Sequence, residues 1–119
     1  MSTEPRTVTV HTLDHGNVTV PEPAWCTGRH EQDVDRADLT HYGPELRLHF
    51  RGEHLWTAML AQAPYSPSPL PSVYVEQTGY TATLDPAGLR ELADAEQAHA
   101  GYLRRLARDL EALQDGSDQ

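Results

Sequence analysis

An α+β fold is what this sequence predicts: an antiparallel β-sheet of about five or six strands built from hairpins, followed by one long C-terminal amphipathic helix. Three observations carry that expectation. Apolar and polar residues alternate over Thr7–Thr12 and Glu45–Arg51. Turn-forming groups separate such stretches. Leucines then recur at spacings of three and four from Leu89 to Leu113.

The first alternation, Thr7-Val8-Thr9-Val10-His11-Thr12, is rich in β-branched residues and reads as a strand. Asp14-His15-Gly16-Asn17 is a turn, and Val18-Thr19-Val20 returns, giving a hairpin over about 6–20. Pro21-Glu22-Pro23 closes it. Residues 24–36 show no dominant period and read as an irregular loop, a usual location for function. In Glu45–Arg51, Leu46, Leu48 and Phe50 share one face; Arg47, His49 and Arg51 share the other. Gly52-Glu53 suits a type II′ turn, after which 54–61 returns as a strand, with a short helix as the competing reading. Four prolines between 64 and 71 exclude helix and central strand there. Ser72–Glu76 and Tyr80–Leu84 read as a third hairpin.

Asp85 is a helix N-cap, Pro86 suits the first helical position, and Leu84 with Leu89 has the spacing of a hydrophobic staple. Gly116 is placed to stop the helix, which is expected over 86–114. Its seam runs through Leu89, Leu92, Leu103, Leu106, Leu110 and Leu113, with Glu96 and His99 in the two remaining places. The β-rich part, 6–84, and the helix are expected to form a single domain, 6–114, with flexible ends at 1–5 and 115–119.

Composition narrows the function. The chain has 119 residues and a net charge of −9, from 9 basic and 18 acidic side chains. That balance argues against nucleic acid and against anionic membranes. Every basic residue is Arg, and Ile is absent, as a GC-rich genome would give. One cysteine, Cys26, excludes an internal disulfide and points to a reducing compartment. Residues 1–20 lack a leader pattern, and no apolar run approaches a membrane span, so a cytoplasmic protein is expected.

The strongest chemical constellation is Cys26, His30 and His41, spaced Cys-x3-His-x10-His. Zinc takes thiolate and imidazole in a tetrahedral site, and His15, Asp14, Asp33 or Asp35 would complete the set. His15 is the preferred fourth ligand. The plainer reading makes Cys26 a small buried hydrophobe. A bound metal would clip a long loop and so serve structure rather than catalysis. A metal-dependent or cysteine hydrolase centred on Cys26, His30 and His41 is the alternative, with Glu31 as a candidate base. No Walker loop, GxGxxG, HExxH or GxSxG occurs, which lowers the weight on catalysis.

Other groups are read conservatively. His49 and His54, with Arg47, Arg51 and Trp56, form an anion patch or simply a solvated hairpin face. Arg104, Arg105 and Arg108 suit the helix dipole first and a partner second. The leading expectation is a non-catalytic interaction or regulatory module. Leu103, Leu106, Leu110 and Leu113 would bind a protein partner or a second copy.

Thr7-Val8-Thr9-Val10, Asp14-His15-Gly16, Pro23-Ala24-Trp25-Cys26, His30, Asp38–Glu45 and Asp85-Pro86-Ala87-Gly88-Leu89 together resemble a small actinobacterial domain of unknown function. Such domains occur in streptomycete-type genomes and mobile elements. The resemblance covers about 6–113 and implies source and compartment. It carries no activity and no functional residue.

Overall fold

The computed structural model describes residues 6–117. Six strands and one helix are found among them: β1 (Thr7–Thr12), β2 (Gly16–Pro21), β3 (His41–Tyr42), β4 (Leu46–Phe50), β5 (Glu53–Gln62), β6 (Ser72–Gln77) and α1 (Pro86–Ser117). The fold is α+β, with two antiparallel sheets: β1 pairs with β2, and β5 pairs with β3, β4 and β6. The chain divides into two compact units. One runs to Pro44 and resumes over Leu60–Ser72; the other takes Glu45–Met59 and the chain from Val73 onward.

In the first unit the β1–β2 hairpin pairs Val8 with Val20 and Val10 with Val18. Directly opposed residues share a face, so four valines line one side. Val10, Val20 and Leu39 form the buried centre, with Val8, Val18 and Val34 against it. Thr12 fixes the turn: its hydroxyl donates to the Gly16 carbonyl (2.7 Å) and accepts from the His15 N–H (3.0 Å). β3 pairs with the end of β5 through His41–Gln62 and Tyr42–Ala61.

In the second unit β4 and β5 form the expected hairpin, and 54–61 is strand, not helix. The turn residues are Arg51 and Gly52, at φ 51° and 81°. Two positive φ values mark a type I′ turn rather than the expected II′. The register shifts between Leu48 and His49. Leu48, Phe50 and Leu55 form a second core, packed by Trp56, Tyr80, Leu84, Leu92 and Ala95. The third hairpin is not present: β6 pairs with β5, and 80–84 is irregular. Tyr80 packs edge-on against Phe50, 6.3 Å between centroids, and with Leu84 serves core packing instead of a strand.

The Asp85 carboxylate accepts from the Gly88 N–H at 2.8 Å, a true N-cap. The staple is absent, because Leu84 turns to the core while Leu89 is 60% exposed. The seam therefore begins at Leu92, and Ala95 takes the place expected for Glu96. Gly116 lies inside the last turn; residues 115–117 continue the helix, and 1–5 and 118–119 lie outside the described residues. Arg51 anchors the helix start to the hairpin through two hydrogen bonds to Glu91 (2.8 and 3.1 Å).

Two outcomes follow. Asp85→Ala should cost about 1 kcal/mol by urea denaturation followed by circular dichroism, and Leu89→Ala less than about 0.5 kcal/mol. Burial also holds the His99 imidazole below its ordinary value, against the opposing charge of Glu96. The unfolded chain therefore takes up that proton first as pH falls. The stability contribution is complete above about pH 6.5 and is lost progressively below it. Urea midpoints near neutrality and at about pH 5.5 should differ less in His99→Leu than in the wild type.

Candidate metal centre

Local backbone bonding assembles the site. The Glu22 N–H donates to the Arg6 carbonyl (2.8 Å), continuing the hairpin by one rung. The Cys26 N–H donates to the Pro23 carbonyl (3.0 Å), folding 23–26 into a turn. The Arg6 guanidinium donates to the carbonyls of Pro23 (3.3 Å) and Cys26 (3.1 Å) and holds that turn. The Thr27 N–H donates to the Tyr42 carbonyl (2.9 Å). That bond brings Cys26 beside β3, where His41 points inward.

Glu22, Cys26, His30 and His41 thus offer four ligand atoms within 4.8 Å of one another. Cys26 Sγ is 3.5 Å from Glu22 Oε1 and 3.7 Å from His30 Nε2. His30 Nε2 is 2.5 Å from Glu22 Oε1. The His30 and His41 rings meet edge to face, 5.2 Å apart. All four are withdrawn from water: Cys26 is 4% exposed, His41 2%, and the side chains of His30 and Glu22 3% and 6%. Nδ1 of both histidines is buried without a hydrogen-bond partner.

The electrostatics match this enclosure. Burial pushes the Cys26 thiol up, and the Glu22 charge adds to it, while the Gly28 N–H works the other way. Burial also raises the Glu22 carboxyl, but hydrogen bonds from His30 and Cys26 and the charges of His30 and Arg6 outweigh it and leave it lowered. Burial, then the neighbouring His30, lowers His41. The cost of withdrawing such groups from water is met only by partners or by an ion.

The arrangement differs from a nucleophile relay. In a Cys-His-acid set, thiol and carboxylate bond opposite nitrogens of the imidazole. Here both converge on His30 Nε2, and Nδ1 is left alone. Atoms that converge on one point are what a metal ion requires. Tetrahedral ligands at 2.0–2.3 Å lie about 3.3–3.8 Å from each other. The sulfur distances fall in that range, and the closer Glu22–His30 pair would open to admit an ion.

Cys26, His30 and His41 are therefore brought together as their spacing suggested. His15 is not among them. It lies half-exposed against Asp14 (3.1 Å), at the far turn of β1–β2. Asp14 is committed to the Arg36 N–H (2.9 Å), which with His15 lowers its carboxyl. Asp33 pairs with His11 (2.7 Å), and Asp35 precedes the short helical turn Arg36–Asp38. Glu22 takes the fourth place. A signal for it was present: Glu22, Cys26 and His30 are spaced four apart.

The other expected groups lie apart. The His49 and His54 rings are 5.4 Å apart, but His54 Nε2 sits 2.6 Å from the Thr57 hydroxyl and 2.9 Å from the Trp56 carbonyl. Those contacts make His54 part of the hairpin. Leu103, Leu106, Leu110 and Leu113 are each half-buried, and Arg105 lies over the Tyr102 ring.

A family model described as a domain of unknown function, DUF6907, matches residues 7–112. This chain belongs to the DUF6907 family. No curated protein matches it, and no solved structure does. No helix among the described residues is long and apolar enough to cross a membrane.

Replacing Glu22 tests the cluster without metal. Glu22→Ala strands the buried His30 nitrogen and should cost about 1–3 kcal/mol in metal-free protein. Glu22→Gln, which keeps a hydrogen-bonding oxygen, should cost less. Urea denaturation in chelator reads both.

Proposed function

We propose that this domain is a small non-catalytic interaction module whose loop between β2 and β3 is clipped by one structural zinc ion. The observation that carries this reading is the convergence of four buried ligand groups from Glu22, Cys26, His30 and His41. Structural zinc sites use four protein ligands; catalytic ones keep a position open to water. Enclosure of all four side chains favours the structural role. Charge agrees: one thiolate, one carboxylate and two neutral imidazoles balance a divalent cation, so the buried assembly is neutral. Nitrogen and sulfur donors favour zinc over magnesium or calcium. A small apolar cluster of Val10, Val20 and Leu39 among the described residues supports a clip for this loop. A reducing compartment, as in the cytoplasm, would keep Cys26 available as a ligand.

The partner we assign to α1 is a second copy, through Leu103, Leu106, Leu110 and Leu113. Glu91, Asp94 and Glu96 follow Arg90 in its first half, and Arg104, Arg105 and Arg108 precede Asp109, Glu111 and Asp115 in its second. Antiparallel pairing sets each acidic stretch against a basic one. The heptad spacing continues to Leu113 on the same face.

Elemental analysis of full-length protein purified without chelators should find about one zinc per chain. Cys26→Ala and His41→Ala should lose it, and His15→Ala should keep it. Zinc absent from the wild type, or retained in both ligand variants, contradicts the reading. Sedimentation equilibrium should show a dimer that weakens when Arg104, Arg105 and Arg108 become Ala. A strict monomer at high concentration contradicts self-association.

A further inference from the structure

We infer that the backbone amide of Gly28 is the positioning group for the Cys26 sulfur, and that it makes this cluster a thiolate site selective for zinc-like ions. The inference rests on the metal-centre reading above and adds a residue to it. The Gly28 N–H donates to Cys26 Sγ at 3.4 Å. Gly28 holds φ at 85°, a conformation that L side chains rarely adopt. A Cβ at this position would meet nothing within 4 Å. Crowding therefore does not require glycine; the direction of the backbone does. The Thr27 N–H is committed to the Tyr42 carbonyl, the next N–H lies on the sulfur, and the positive φ of Gly28 turns the chain that follows back toward His30.

The sulfur needs that donor. It is 4% exposed, and the Glu22 carboxylate lies 3.5 Å away. The thiol donates to that carboxylate; once deprotonated to bind an ion, the sulfur and the carboxylate would repel unless the ion sat between them. A fixed amide dipole aimed at the thiolate lowers that cost and fixes where the sulfur lone pairs point. Without it, a hard oxygen-seeking cation on Glu22 competes better with a thiolate-seeking one.

The test is cobalt(II) titration of the full chain carrying Gly28→Asn, Gly28→Ala or Gly28→Val. Asn tolerates positive φ and should keep the wild-type affinity and the thiolate-to-cobalt charge-transfer band. Val, which resists that conformation, should bind about tenfold or more weakly, with the band shifted. Ala should fall between them; with open space around its methyl group it remains informative if Val compromises folding. Ala and Val equal to wild type in both affinity and band energy would overturn the inference while leaving the metal centre standing. A wild type with no sulfur band would overturn the metal centre, and this inference with it.

Discussion

The first unit turns on one constraint: four polar, metal-ligating groups are buried together. Glu22, Cys26, His30 and His41 lie out of water, and two imidazole nitrogens have no partner. A cluster of that kind is costly alone and stabilising around a cation. The bonds at the start of the loop serve it. The Arg6 clamp, the 23–26 turn and the Thr27–Tyr42 bond all bring the sulfur toward β3. Without an ion, those bonds hold together a set of groups that only partly satisfy one another.

The second unit is built differently. Its core is apolar, its helix is capped by Asp85, and Arg51 ties the hairpin turn to Glu91. Gly88 lets the first helical turn approach that arginine: a Cβ there would meet Arg51 Nη2 at 3.0 Å and Asp85 Oδ1 at 3.1 Å. No metal is needed to explain this half. Both units have an apolar core, and the first adds a buried polar convergence that the second lacks among the described residues.

Much of this was legible in the sequence, for identifiable reasons. Strand alternation and the Asp85-Pro86 start are local signals, and they placed β1, β2, β4, β5 and α1. The spacing of Cys26, His30 and His41 brought three of the four site residues to notice. Glu22 was missed because Pro21-Glu22-Pro23 read as punctuation, whereas the Arg6 carbonyl continues the hairpin through Glu22. His15 supplies the right ligand chemistry, but its turn lies at the opposite end of β1–β2 from Glu22. The 80–84 strand and the Leu84–Leu89 staple failed for one reason. Tyr80 and Leu84 were drawn into the second core, and tertiary packing overrode a local pattern. Gly116 did not stop the helix, since a glycine near a terminus permits an ending without imposing one.

The proposed clip is one ion bound at the convergence of these four side chains. X-ray absorption spectroscopy at the zinc edge, on zinc-loaded full-length protein, tests it most directly. A four-coordinate shell with one sulfur at about 2.3 Å and three nitrogen or oxygen atoms at about 2.0–2.2 Å is the predicted result. A shell without sulfur, or a six-coordinate oxygen shell, would contradict it.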